Sequence, residues 1–388
     1  MYLPHTLVGL CALSLTAFLA SCGGGGSGEE PAATVDLQIT TPNATDNVFT
    51  AGTPVAVRAS ATVNGAPVAD DTAVRFSVPS GKFSPVQSAS RGGAASSTLT
   101  SSATGPLQIT ASVLETRQNG SATRMFYQRP APAPLKIMVP AYFYPSAGSD
   151  WSTLATSAAA HPAVSITAIM NPNNGNFSSA DTNFIRAATQ LVDAGGAVLG
   201  YVYTRYGKGS RSMADIKTNI DRYLRFYGRE RIAGIFLDEM ASDTAQLDFY
   251  REIYRYIKAI DPSLRVVGNP GMVPDPAFSS VADTLVIFEG TATDYQKYDP
   301  RAKDTWLYTR GNQMQAALVH NTDNCTAMQS VVQAAASARN NAGWVYATDR
   351  NFNYATGAGN PWAKLPMYWE SLVQTVGAVN SGTSLPRC

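Results

Sequence analysis

Two carboxylates close the apolar run Ile232-Ala-Gly-Ile-Phe-Leu-Asp238-Glu239, and a third closes Thr284-Leu-Val-Ile-Phe-Glu289. A strand covered on both faces excludes charge until it leaves the core, so Asp238, Glu239 and Glu289 are expected at strand ends. In parallel α/β enzymes the cleft forms there, from the loops at the carboxyl ends of the strands. Acids facing each other across such a mouth are what glycoside hydrolysis needs: one carboxyl protonates the leaving oxygen while another acts as nucleophile or base. Crowded carboxylates also push their pKa values apart, which leaves one protonated near neutrality. Neighbours on a strand point to opposite faces unless the backbone has already turned, so Asp238 and Glu239 are expected to differ in role. Asp238 is assigned as nucleophile or transition-state stabiliser, Glu289 as general acid/base and Glu239 as a supporting group, with exchange between the two glutamates open. Retention of configuration is the expected outcome. The plainer alternatives are an Asp-Glu helix cap at 238–239 and an exposed loop acid at 289.

The residues after the other apolar runs suit a sugar. They are Tyr142 and Tyr144, Asn171 and Asn174, Tyr201, Tyr203 and Tyr206, Asn269, His320-Asn321, Trp344, Tyr346 and Asp349. Aromatic faces take the C–H edges of pyranose rings, while amides and carboxylates take the hydroxyls. Tyr142, Tyr144, Asn171, Asn174, Tyr201, Tyr203, Asn269, Trp344 and Asp349 are therefore the substrate-binding candidates. Each aromatic alone reads equally as core; their recurrence after successive strands carries the argument.

The elements that must position these residues are eight apolar strands at 137–143, 165–170, 197–203, 234–238, 265–269, 284–288, 316–320 and 343–347. Helical patterns fall between them at 181–194, 213–227, 243–260 and 326–340. This alternation predicts a (β/α)8, TIM-like barrel over residues 135–388. A doubly wound open sheet is the alternative, but Pro140-Ala-Tyr-Phe-Tyr-Pro145 stands where a Gly-rich phosphate loop would follow the first strand.

Ahead of this, residues 33–128 are rich in Thr, Ser, Ala and Val, in short alternating runs separated by turns such as Asn64-Gly65 and Asn119-Gly120. That pattern predicts a small all-β, Ig-like sandwich, joined to the barrel by a stiff Pro-rich linker at 129–134. Residues 1–22 read as an export signal: an apolar stretch at 7–20, too short to span a bilayer in the ordinary way, runs into Leu19-Ala-Ser-Cys22. This ending resembles the bacterial lipobox, which makes Cys22 the expected lipidation site of an exported lipoprotein. A flexible Gly-rich tether at 23–32 follows, and Gly23 after the cysteine favours the outer membrane. A soluble secreted protein is the alternative.

Besides Cys11 and Cys22, only Cys325 and Cys388 remain, which suggests one disulfide in an oxidising compartment or, alternatively, two free thiols. With three histidines in 388 residues and no Cys-x-x-Cys, no metal site and no cofactor are expected. A net charge of +1 without a Lys/Arg cluster sets nucleic acid aside. The expected partners are a polysaccharide and the membrane lipid, and the chain is expected to be a monomer.

Several stretches together resemble the spherulin-4-like proteins: Val139-Pro-Ala-Tyr-Phe-Tyr-Pro145, Trp151, Ala168-Ile-Met-Asn-Pro-Asn-Asn-Gly175, residues 194–207 and 221–227, Gly234 to Glu239, Asn269-Pro-Gly271 and Ala282 to Glu289. The resemblance covers about 135–380 and none of the sandwich. It implies a (β/α)8 barrel whose fungal members hydrolyse galactosaminogalactan, with Asp238, Glu239 and Glu289 at the positions of the acidic site. It also implies an endo-acting enzyme for α-1,4-linked N-acetylgalactosamine. Asn176-Phe177 departs from the family, where Pro-Gly is common. A lectin or adhesin on the same barrel is the reading from another class, though a binding site has little need of three converging carboxylates. A chitinase or related hydrolase is a weaker third reading, for want of the Asp-x-x-Asp-x-Asp-x-Glu strand.

Overall fold

The computed structural model describes residues 33–41, 46–115 and 117–388. The expected signal, Cys22 and the Gly-rich tether lie outside the described residues. No helix among the described residues is long and apolar enough to cross a membrane.

Eight parallel strands close into a barrel in chain order: Lys136–Ala141, Ile166–Met170, Ala197–Tyr203, Ile232–Asp238, Arg265–Gly268, Thr284–Thr291, Gln315–His320 and Trp344–Ala347. Closure comes from Lys136 pairing with Trp344 and Ile137 with Val345. The strands are buried on both faces because helices cover the outside and side chains fill the interior, so their sequences read as continuous apolar runs. Helices follow the strands at Asp150–Ala160, Thr182–Asp193, Met213–Tyr227, Leu247–Ile260, Ala292–Lys297, Cys325–Ala336 and Trp369–Ser381. The fifth crossover holds only the 3-10 turn Pro276–Ser280 in place of an α-helix. Sequence periodicity passed over the first and last helices, Asp150–Ala160 and Trp369–Ser381, because Ala, Ser, Thr and Val dilute the contrast between their faces.

Two strands carry an irregularity that sets where their acids point. Val198 pairs with Ile232 but Leu199 with Gly234, which leaves Ala233 extra; Val286 pairs with Ala316 but Phe288 with Ala317, which leaves Ile287 extra. An inserted residue shifts the alternation and re-aims every side chain beyond it. These are the fourth and sixth strands, and they bear Asp238 and Glu289. The sixth strand also runs past Glu289 to Thr291, so that acid lies within a strand and not after its end.

Residues 33–129 form two facing sheets. One is built on Gln118–Arg129, Gly105–Glu115 and Ala73–Ser77, the other on Val55–Val63, Ala94–Thr100 and Asp36–Thr40. Alternate residues such as Val57, Ala59, Phe76, Leu99, Ile109 and Phe126 meet in a shared core. Asn64 and Gly65 both take positive φ in the tight turn after Val55–Val63, as a two-residue hairpin of this hand requires.

The expected linker is fastened down and not free. Asn312 donates from Nδ2 to the Ala133 carbonyl at 2.9 Å and accepts at Oδ1 from the Ala133 N–H at 3.0 Å. Asn380 clamps Leu135 in the same two-way manner. Beside it, buried Arg129 donates to Asn341 Oδ1 at 3.0 Å, and the Tyr127 and Tyr308 rings pack 5.4 Å apart. These contacts gather where the first, seventh and eighth strands begin, so the sandwich docks at the amino end of the barrel. Cys325 and Cys388 form a disulfide that holds the tail to the helix Cys325–Ala336.

Candidate active site

Asp238 ends the fourth strand with its carboxylate among three donors. Tyr201 donates its hydroxyl to Oδ2 at 2.7 Å, Asn269 donates from Nδ2 to Oδ1 at 2.9 Å, and the Glu239 backbone N–H adds a third bond. The same Asn269 nitrogen donates to Glu289 Oε2 at 2.7 Å. Its orientation is fixed, because Asn269 Oδ1 accepts from the Gly271 N–H and can only leave the amide hydrogens facing the acids. Gly271 in turn offers its carbonyl to the Glu289 N–H at 3.0 Å, which ties the loop after the fifth strand to the sixth. One amide nitrogen thus bonds a carboxylate oxygen of each acid, at 2.9 and 2.7 Å.

The two acids are both half-buried but differ in their partners. Burial raises the Glu289 carboxyl to about 7, helped by the charge of Asp238 and opposed by a single bond from Asn269. Burial also raises Asp238, but its three donors favour the ionised form. The charge therefore settles on Asp238 and the proton on Glu289. Tyr142, half-buried and packed edge-on to Tyr201 at 5.4 Å, has its phenol pushed well up by desolvation and then by Asp238, Tyr201 and Glu289. It closes one wall of the site.

Glu239 stands apart from this pair. Its backbone is left-handed, φ 51°, which breaks the alternation that would otherwise oppose it to Asp238. Thr204 Oγ1 donates to the carbonyls of both Asp238 and Glu239, and the Tyr206 N–H bonds the Glu239 carbonyl at 2.7 Å. The Glu239 carboxylate lies 3.5 Å from Arg205 Nε, toward the third strand and away from Glu289. Arg205 and Tyr206 are also left-handed, as are Asn173, Asn174 and Asn321. Such strain clusters at functional sites.

Of the substrate-binding candidates, Tyr142, Tyr201 and Asn269 join the acids directly. Tyr144 and Asn171 line an adjoining cleft, and Asn174 lies beside Asn171 on the same loop. Tyr203 is covered by Arg211, whose guanidinium sits 3.8 Å from its ring centre. Two are not brought to the site. Trp344 opens the eighth strand and so lies at the amino end of the barrel, its Nε1 donating to the Gln313 carbonyl and its ring flanked by Lys136 and Arg265. Asp349 is tucked under the final loop beside Tyr346 and Tyr368, 3.7 Å from Arg350. The first residue of a barrel strand lies at the end opposite the mouth, so nearness in sequence to Tyr346 misled for Trp344.

Tyr354 was missed, because Asn353-Tyr-Ala-Thr-Gly357 reads as an ordinary turn. Its hydroxyl bonds His320 Nε2 at 3.0 Å, and buried His320 is held at Nδ1 by Asn321 Oδ1 at 2.6 Å. Asn321 Oδ1 also accepts from the Phe352 N–H. The Tyr354 phenol is raised by burial and then by the charges of Glu289 and Asp294, so an exposed aromatic of the last loop feels the charge of an acid of the site. A lone tyrosine amid small polar residues after the final strand was the available signal. Among the described residues no three His, Cys, Asp or Glu side chains are grouped to hold a metal ion.

Comparison with known proteins bears on the barrel that carries this site. Spherulin-4 of Physarum polycephalum is 35% identical over 162 residues, which are 42% of this chain and 46% of that protein; the chain thus matches about half the length of this relative. The crystal structure of Aspergillus clavatus Sph3 in complex with GalNAc superposes with a TM-score of 0.53 at 26% identity, covering 63% of this chain and 97% of that one. The model of spherulation-specific family 4 matches residues 136–376, the span from the first barrel strand into the last helix. By that match over the whole barrel, the chain belongs to spherulation-specific family 4.

Proposed function

We propose that this protein is an endo-acting glycoside hydrolase for an exopolysaccharide of α-1,4-linked N-acetylgalactosamine or galactosamine. The observation that carries the reading is the single Asn269 amide bridging Asp238 and Glu289. Two carboxylate oxygens bonded to one nitrogen keep the acids close, which supports a retaining enzyme's spacing of about 5–5.5 Å over the wider gap that the water of inversion needs. Glu289, protonated up to about pH 7, gives its proton to the glycosidic oxygen as the bond to C1 breaks. Ionised Asp238 attacks C1 from the other face and forms a glycosyl-enzyme ester. Glu289, now a carboxylate, takes a proton from the incoming water, whose oxygen displaces Asp238, and the starting states return. Glu239 and Arg205 hold substrate hydroxyls at the rim, and Tyr142 and Tyr201 bound the ring in the site. The GalNAc complex of the Aspergillus relative supports this sugar class.

A lectin on the same barrel would gain nothing from a buried carboxyl raised to about 7, which costs stability and serves proton transfer. The test is release of reducing ends from a galactosamine-rich polysaccharide by the purified chain, with product anomers followed by NMR. Binding without new reducing ends would leave the lectin standing and reject the enzyme.

The same proposal extends to address and presentation. The sandwich is an Ig-like spacer, and Cys22 carries a lipid that holds the protein at the outer membrane. Support comes from Leu19-Ala-Ser-Cys22 and the glycines after it. Cys22→Ser should abolish lipid labelling and move the protein to the soluble fraction; unchanged labelling and fractionation reject the anchor.

A further inference from the structure

We propose that the cleft between the loops after the first and second barrel strands is a second sugar site, which takes a hexosamine ring one or more units from the scissile bond. The inference rests on the hydrolase reading and says which part of the polymer lies where. The cleft encloses about 430 Å³, and Tyr142, Tyr144, Asn171, Asp181, Phe184 and Tyr227 are among its walls. That volume is of the order of small-ligand pockets.

Continuity with the acids is direct. Tyr142 faces the cleft and also packs edge-on against Tyr201, which holds Asp238. A chain seated with one ring against Asp238 and Glu289 therefore meets this cleft one tyrosine away. The cleft has its own polar equipment. Asn171 Oδ1 is enclosed without a hydrogen-bond partner, and the Asn173 and Asn174 backbones are held left-handed around it. Asn171 and Asn173 both line the cleft, and amide side chains of this kind take ring hydroxyls.

Tyr144 is the most telling residue. It is 53% exposed, so burial does not explain its order. Its hydroxyl nevertheless donates to Asp181 Oδ2 at 2.9 Å and accepts from Asn183 Nδ2 at 2.7 Å, while its ring stands edge-on to Phe184 at 5.7 Å. Three partners fix an exposed aromatic face in one orientation, which loses side-chain entropy with little apolar gain unless a ligand stacks on it. Asp181 is the charged residue of the lining, and neither Lys nor Arg is part of it. A neutral acetamido sugar or a cationic amino sugar suits that field, whereas a uronate is repelled.

The test compares Tyr144→Ala with the wild-type full chain on two substrates, a hexamer of α-1,4-linked N-acetylgalactosamine and a one-ring aryl α-N-acetylgalactosaminide. A remote subsite is engaged only by the longer substrate. The ratio of kcat/KM for hexamer over aryl glycoside should fall about tenfold in Tyr144→Ala, with most of it recovered in Tyr144→Phe, which keeps the ring. An unchanged ratio overturns the subsite even if both rates fall. Should the wild type turn over neither substrate, the hydrolase reading fails by itself. Calorimetric titration of the hexamer then decides the subsite: about tenfold weaker binding by Tyr144→Ala supports it. Equal binding by the two proteins, or none by the wild type, rejects it. An unchanged thermal midpoint in both variants excludes misfolding, since the Tyr144 side chain lies at the surface.

Discussion

The two ends of the barrel are built on opposite terms. At the carboxyl end lie six of the barrel's seven described non-glycine residues with left-handed backbone, Asn173, Asn174, Arg205, Tyr206, Glu239 and Asn321, together with two acids whose pKa values burial raises. Strain at a non-glycine left-handed residue costs on the order of 1–3 kcal/mol, less for Asn, and a buried charge costs more. At the amino end side chains tie segments together: Asn312 bonds Ala133 of the linker both ways, Asn380 does the same for Leu135, Arg129 meets Asn341, and Lys136 and Arg265 flank Trp344, although buried atoms of Gln128, Gln313 and Gln315 there have no hydrogen-bond partner. One end holds groups in states they would not choose in water, and the other holds the domains together. Substitutions at the two ends should therefore separate turnover from stability.

The largest effect is expected at the mouth. Asp238→Asn and Glu289→Gln should each lower turnover by at least ~10²-fold with the fold intact by circular dichroism, and Glu239→Gln should fall in the same direction. Near-normal turnover in Glu289→Gln would remove it from the mechanism. Asn269→Ala, which frees both acids from their common bridge, should lower kcat more than it raises KM and shift the basic limb of the pH–rate profile.

Next come changes at the amino end and the tail. A chain that begins at Leu135 should lose the Arg129–Asn341 bond and the Tyr127–Tyr308 packing, and melt roughly 5 °C or more below the longer protein. Its turnover should stay within about twofold, because docking and chemistry lie at opposite ends. A matching loss of activity would break the division. Cys388→Ser should cost ~2–4 kcal/mol in denaturant unfolding, since the disulfide closes a loop across a sequence separation of 63, again with kcat unchanged.

A subtler effect follows from Glu289 itself. Unfolded, this carboxyl ionises near 4.5; folded, it keeps its proton to about 7. Between those values the folded state binds more protons than the unfolded one, so stability falls as pH rises. The contribution is fully present below about 4.5 and gone above about 7. Relative to Glu289→Gln, the wild type should lose unfolding free energy across this window, and its turnover should decline above about pH 7 as the general acid ionises. Parallel pH–stability curves for the two proteins would contradict the raised pKa. The smallest effect is expected for Trp344→Phe, which loses the bond to the Gln313 carbonyl and some cation contact: a modest drop in melting temperature and no change in KM.

Much of this organisation is legible in the chain. Apolar runs spaced by helical patterns determine a parallel barrel, because strands buried on both faces must be uniformly apolar and parallel strands need long crossovers. The same logic marks Asp238 at the end of its strand and draws notice to Glu289, which the structure places two residues before its strand ends. Tyr142, Tyr201 and Asn269 follow from their places at strand ends. Four of the helices announce themselves by periodicity; the Ala- and Ser-rich ones do not, because tertiary packing supplies the contrast their sequences lack.

What the chain could not give is orientation and long-range contact. Whether Asp238 and Glu289 look into the barrel depends on Ala233 and Ile287 being the extra residues of their strands, and a bulge arises from pairing with a neighbour far away in sequence. That Glu239 turns toward Arg205 follows from a left-handed residue whose carbonyl is bonded by Thr204 and Tyr206 of the adjacent loop. Trp344 and Asp349 look like mouth residues until the strand register is known. The linker reads as stiff, but its anchorage is invisible until Asn312 reaches Ala133 from 179 positions away and Asn380 reaches Leu135 from 245. Local sequence sets which groups leave the core, whereas the direction they face is a property of the closed sheet, because only closure fixes each strand's register against both neighbours.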